Sequence, residues 1–428
     1  MHSNYKKLLK KWAKDLFPMN RSLTGEGNRQ TIRYIKKNIN FKFLLKKAKS
    51  GKNVFSWKVP KEWKIETATL KDENGNLICD FNRNNLEVLG YSSPVNKTMT
   101  YNELKPHLYT LPELPDAIPY VTSYYKKDWG FCLSYKNFLK LNKKIKYKVL
   151  IKSKLFNGDM NYSELVIPGK SKKEIIISSY ICHPSMANNE LSGILAISLL
   201  SKMLKRSKYS IRLLLIPETI GAIYYIYKNT NKLKKNLIAG FNLSCVGIDA
   251  PYTLISSANE NTYADIIINR IGKKYKNFKK ISFLKRGSNE RQFGCQNLDI
   301  PFVTITRKKF GEYKQYHTSK DNLDILNFDT IIETCNFIKK ATIEINKNLI
   351  FEKQTIGEPH WSKYNLVSPK ATLKNMLNRN RHMMSHIVAL ANKNHDTISL
   401  SNKISANPKK ILKITKMLEK HKILKQFI

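Results

Sequence analysis

The chain has 428 residues, 42% of them hydrophobic and 11% aromatic, which is enough apolar side chain for a large core in roughly two to four domains and excludes wholesale disorder. Its 76 basic and 32 acidic residues give a formal net charge of +44, yet the lysines are dispersed, as in a general compositional bias rather than one polyanion-binding tract. Six cysteines lie far apart with no CxxC pair, which excludes a disulfide framework and a thiolate zinc site and fits a reducing cytoplasm.

In chain order, "MHSNYKKLLKKWAKDLF" spaces apolar residues at helical intervals among lysines, without the unbroken apolar core of a signal peptide. A second helix follows in "GEGNRQTIRYIKKNI", with Ile32 and Ile35 on one face. No run approaches the roughly 18 apolar residues of a membrane span, so no membrane partner is expected. From about residue 52 the pattern changes to short alternating runs broken by Pro60, "ENGN", Pro94 and the Pro-rich "LPELPDAIPYVTSYY". That reads as a separate all-β module. Its aromatic stripe (Trp57, Trp63, Tyr124, Tyr125, Trp129) is read first as core and second as a platform for sugar rings.

From about residue 145, strands and helices alternate. "EIIISSYIC", "IRLLLIPE", "LIAGFNLSCVG" and "IPFVTITR" are predicted strands; "SGILAISLLSKMLK", "TIGAIYYIYKN", "ENTYADIIINRIGKKY" and "NFDTIIETCNFIKKATIEIN" are predicted helices. The fold class is therefore α/β, with a mostly parallel central sheet covered by helices on both faces. Past about residue 370, two short helices and a longer basic one opened by Asn407-Pro408 have a winged helix-turn-helix rhythm.

Ligands of such sheets sit beyond the carboxyl ends of the strands. His183 follows one predicted strand, Glu218 closes its neighbour, and His317 lies in "GEYKQYHTSKDN" after a third. Asn189 and Glu190 occupy the loop after His183. Two histidines and a carboxylate suffice for a catalytic zinc, and a further carboxylate can serve as general base. Taken singly, each has a plain alternative. A strand-end histidine is commonly just hydrogen-bonded, Glu218 could stabilise a helix N-terminus, and the His317 segment could be turn chemistry.

The segments "LFPMNRSLTGEGNRQT", "TLPELPDAIPYVTSYYKKDWGFCLS", "CHPSMANNELSG", "IPETIG", "RGSNERQFG" and "RKKFGEYKQYHTSKDN" occur in that order. In them the chain resembles bacterial aminopeptidase-like proteins of the zinc-aminopeptidase superfamily, often encoded among surface-polysaccharide biosynthesis genes. The resemblance spans essentially the whole chain. It implies an aminopeptidase-like α/β domain of residues 1–50 and 145–352, an inserted β-rich domain of residues 51–144, and a winged helix-turn-helix of residues 355–428. It also implies His183 and His317 as metal ligands and Glu218 as general base. Asn189 stands where relatives have a metal-bridging aspartate, Thr219 where they have a glutamate ligand, and Ser244 and Asn289 where aspartates are found.

Two adjacent divalent ions need several anionic ligands to offset their repulsion. The departures therefore point to one zinc ion per chain, held by His183, His317 and Glu190, with Asn189 adding only a neutral carbonyl. Arg286, Glu290, Arg291 and Tyr313 lie in the two loops nearest the site and are candidates for binding substrate carboxylate or hydroxyl groups; a solvated salt-bridge surface is their alternative. The expected function is a cytoplasmic zinc hydrolase that cleaves a peptide or amide bond in a small peptide-like or amino-sugar substrate.

The rival reading is a non-catalytic peptidase-fold protein that binds or regulates through its winged helix. Lys409, Lys410, Lys413 and Lys416 could track nucleic-acid phosphates. Sequence-specific DNA reading is disfavoured, since no arginine there is placed to read bases. Packing against a second copy in a homo-oligomer is the other use of that helix.

Overall fold

The computed structural model describes residues 2–39, 43–295, 297–370 and 379–427. Its centre is an eight-stranded sheet in the spatial order Leu44–Lys49, Asp159–Ile167, Tyr209–Ile216, Ser171–Tyr180, Leu237–Leu243, Phe302–Thr306, Thr253–Ile255 and Lys279–Ile281. The four strands from Tyr209–Ile216 to Phe302–Thr306 are mutually parallel. Asp159–Ile167 and Thr253–Ile255 flank them antiparallel.

The central strands are apolar on both faces because both faces are covered. Ile175 and Ile177 enter one hydrophobic cluster, while Ile176 and Tyr180 enter another. The first is closed by His2–Leu16 through Leu9 and Trp12, and by Ser192–Met203, Tyr263–Gly272 and Phe328–Lys347. Ile220–Asn236 closes the second through Ile220 and Ile223.

The second cluster continues into the β-rich segment, where Trp63, Leu70, Val149 and Ile151 join Ile176 and Leu214. A four-stranded antiparallel sheet is built there in the order Leu77–Asp80, Glu62–Asp72, Lys146–Phe156, Val95–Thr100. The boundary expected at residue 144 thus falls too early. Lys146–Phe156 is an interior strand of the smaller sheet, and the chain crosses to the central one only between Phe156 and Asp159. Strand periodicity continues through that crossing, so the alternation gives no sign of it.

At the C-terminus, Arg379–Leu390, Thr397–Ile404 and Pro408–Lys420 pack through Ile387, Leu400, Ile411 and Leu418. Phe351–Lys353 pairs antiparallel with Leu424–Gln426, and Phe351 lies in the same core. This unit therefore begins before the expected residue 355. Asp396, which caps Thr397–Ile404 by accepting from Ser399 N, also binds Arg270 at 2.7 Å and ties the unit to the α/β domain. Among the described residues no helix is long and apolar enough to cross a membrane.

Candidate active site

Three of the four parallel strands end at one crevice. Ser171–Tyr180 leads to His183, Tyr209–Ile216 to Glu218, and Phe302–Thr306 to the loop bearing His317. The His183 and His317 rings lie 5.4 Å apart, and Glu218 Oε2 is 4.0 Å from His183 Nε2. Tyr120, from the β-rich segment, packs on both rings at 5.3 and 5.1 Å. The structure thus brings together the three residues that sequence placed at strand ends.

Two loops are held in costly conformations to do this. Thr219, beside Glu218, has φ 59° and ψ −84°, and His317 has φ 54°; a β-branched residue at positive φ is strained. Asn289 Oδ1 accepts the Thr219 N–H at 3.1 Å, and Arg291 donates to the Thr219 hydroxyl. His317 is clamped by the Pro-rich strap. Its carbonyl accepts from Tyr120 N at 2.9 Å, and Ser319 N donates to the Ile118 carbonyl at 2.8 Å. Tyr316 stacks on the ring at 3.9 Å.

His183 has two unlike sides. Its Nδ1 meets Glu190 Oε2 at 3.0 Å. The same oxygen accepts the backbone N–H groups of Cys182 and His183, and Oε1 accepts from Arg21 Nε at 2.6 Å. Arg21 and Glu190 form a completely buried pair, 0% exposed on both sides. Donation from Nδ1 to Glu190 fixes the tautomer in which Nε2 offers its lone pair to the crevice.

Glu190 therefore stands behind His183 rather than at the open ligand position expected from sequence. Cys182, His183 and Glu190 do bring possible ligand atoms within 4.8 Å of one another. Both Glu190 oxygens are already committed, however, and burial pushes the Cys182 thiol up to about 11, so it is no ready thiolate. Asn189 is likewise turned away: Tyr180 OH donates to its Oδ1 at 2.8 Å and meets Ser244 Oγ at 2.8 Å. The positions that would feed a second ion are thus knitted to one another.

Electrostatics separates the two histidines. Burial, reinforced by neighbouring His183, takes the His317 pKa down to about 3, so the ring is neutral, and its buried Nε2 has no hydrogen-bond partner. In His183, burial works against the imidazolium, but Cys182 and Glu190 outweigh it and hold the pKa well above the usual histidine value. A metal ion at Nε2 must therefore displace a proton, and Glu190 at Nδ1 then holds the neutral tautomer. Burial also raises Glu218 above the usual carboxylate value, opposed by His183 and Arg291. Its side chain is 20% exposed, open to water.

The crevice is a cavity of about 480 Å³. His183, Glu218 and His317 line its floor, and Trp57, Tyr120, Tyr124 and Tyr125 supply an aromatic wall. Trp57 and Tyr125 are 40% and 56% exposed, whereas Trp63 is core. The expectation that the stripe is core holds for Trp63 and fails for the rim residues. Arg291 lines the cavity too, with Thr219 and Gln292.

The other expected substrate-binding residues are elsewhere. Glu290 is fully buried and accepts from Gly287 N, Ser288 N and Thr304 Oγ1. Tyr313 is buried and donates to Asp321 at 2.8 Å. Arg286 is exposed, stacked over Phe283 and outside the cavity lining. Sequence reasoning missed Arg21, whose partner lies 169 positions away, and the strap residue Tyr120. The Pro-rich strap was visible in the sequence; nothing local linked it to His317.

Residues 10–348 match the family described as "Domain of unknown function (DUF4910)". A Clostridium acetobutylicum protein, described as a candidate polysaccharide biosynthesis protein with an aminopeptidase-like domain, is 40% identical over 341 residues, which cover 78% of this chain and 76% of that one. The crystal structure of a candidate peptidase from the same organism superposes with a TM-score of 0.80 at 32% identity, covering 99% of this chain and 97% of that one. A zinc aminopeptidase from Bacillus subtilis shares the fold at 12% identity, with a TM-score of 0.60 over 80% of this chain and 95% of that one. The chain belongs to the DUF4910 family, and its α/β fold is that of the aminopeptidases.

Proposed function

We propose that this protein is an aminopeptidase-like, zinc-dependent hydrolase of amide bonds, working in surface-polysaccharide biosynthesis. The observation that carries the reading is His317 Nε2: buried, neutral and unpartnered, in one crevice with His183 and Glu218. An orphaned buried acceptor costs about 1–3 kcal/mol and calls for a partner. Imidazole nitrogens are donors that zinc prefers, and the two here leave coordination positions open for water and substrate.

One ion fits and two do not, because Glu218 is the only carboxylate among the described residues of the cavity lining. Zinc bound by His183 and His317 would supply Lewis acidity to the amide carbonyl and to the attacking water. Glu218 takes the proton from that water and returns it to the leaving amine. Glu190 keeps His183 in the productive tautomer, and Arg21, paired with it at 2.6 Å, holds Glu190 in place. The strap through Tyr120 holds His317 in register and shields the crevice. The polysaccharide setting rests on the name of the Clostridium relative.

The test is amide hydrolysis by the zinc-supplemented full chain against Glu218→Gln. That variant should retain zinc and lose about 10²–10⁴-fold in turnover. Unchanged turnover, or no turnover by the zinc-loaded wild type on a broad amide panel, contradicts the reading.

A further inference from the structure

Resting on that reading, we propose that the substrate is an N-blocked amide carrying a carboxylate, which Arg291 binds, rather than a peptide recognised through a free ammonium group.

The charges of the cavity carry this. Its lining holds one carboxylate, Glu218, and one permanent cation, Arg291. Arg291 donates to the Thr219 hydroxyl, its buried Nε has no partner, and it makes no ion pair among the described residues. Its charge is felt by Glu218 but closed by no ion pair among the described residues, so the guanidinium remains available to an anionic group of the ligand, and its planar fork suits a carboxylate.

The nearby acids are already spent. Glu190 is paired with Arg21, Glu290 is saturated by two backbone N–H groups and Thr304, and Asp321 by Asn188 N, Asn189 N and Tyr313 OH. All three are 0% exposed. A substrate ammonium would find only Glu218, the group that must accept the proton from water. With a divalent ion on the floor, the cavity is positive and repels an ammonium further. The wall of Trp57, Tyr124 and Tyr125 can receive a flat ring beside the amide. The reaction adds water across the C–N bond of the acyl amide, releasing a carboxylic acid and an amine that keeps its own carboxylate.

Calorimetric titration can separate this from the hydrolytic reading. The probes are N-acetyl-L-phenylalanine, its uncharged carboxamide and L-phenylalaninamide, titrated into the full chain as wild type, Glu218→Gln, Arg291→Gln and Arg291→Lys, with and without zinc. Binding to Glu218→Gln needs no turnover, so the result stands whether or not hydrolysis is found. The acid should bind about 10- to 100-fold more tightly than either other probe. Arg291→Gln should erase that preference and Arg291→Lys restore part of it, with or without the metal. Tighter binding of the ammonium probe, absence of binding by the acid, or an acid preference that survives Arg291→Gln would overturn the proposal.

Discussion

The two edges of the His183 ring face opposite environments. At Nδ1, Glu190 is wholly buried, paired with Arg21, and accepts from two backbone amides and the ring. At Nε2, Glu218 lies at 4.0 Å with part of its surface open to the cavity, and the nearby His317 nitrogen is unpartnered. One edge is closed and structural; the other is open and chemical. A carboxylate near a histidine is therefore not a functional statement until its remaining lone pairs are accounted for. Glu190 and Glu218 both read from sequence as carboxylates of the site, and burial and hydrogen bonding assign them different work.

The difference is sharpest in stability. Arg21→Met should leave an unpaired buried carboxylate and cost about 3–5 kcal/mol, read by urea unfolding of the metal-free protein. Glu218→Gln, on the open edge, should cost less than about 1 kcal/mol in the same experiment. Equal losses would erase the distinction between the edges. A subtler probe is Glu190→Asp, which keeps the charge and shortens the reach to Nδ1. It should weaken zinc binding by about 10- to 100-fold while the fold survives, because an outer hydrogen-bond partner tunes its ligand. Zinc affinity unchanged in that variant would show that Glu190 serves the fold alone.

The smallest effect concerns pH. His317 is held neutral in the folded chain down to about pH 3, whereas an unfolded histidine takes a proton near pH 6.5. Below about 6.5 the unfolded state then binds more protons, so stability falls with falling pH across that window, by at most about 1.4 kcal/mol per unit. His183 titrates in the opposite sense, so the informative quantity is wild type compared with His317→Gln without metal. The variant should lose stability less steeply between pH 6.5 and 4. Parallel slopes would mean that His317 is as accessible to protons when folded as when unfolded.

The chain's local pattern makes some of this legible and hides the rest. Apolar runs such as "EIIISSYIC" announce strands buried on both faces, and the rule that ligands gather beyond their carboxyl ends picked out His183, Glu218 and His317. The role of Glu190 was hidden because it is set by Arg21, brought in from the first helical hairpin by tertiary packing. Glu290 and Tyr313 looked like cavity residues for a similar reason: sequence placed their loops correctly but could not say which way the side chains turn. The smaller sheet was foreseen, but not its end at Phe156, because adjacent strands belonging to two sheets share one alternating pattern. Arg291 alone of the four substrate-binding candidates reaches the cavity.

Metal analysis of the purified full chain after zinc loading and gel filtration, set beside His183→Gln and His317→Gln, tests the shared cation site most directly. One equivalent of zinc in the wild type, lost in both variants while their folds persist, is the expected result. Wild-type protein that retains no zinc, or a folded His317→Gln variant that retains a full equivalent, would contradict the assignment of the open edge.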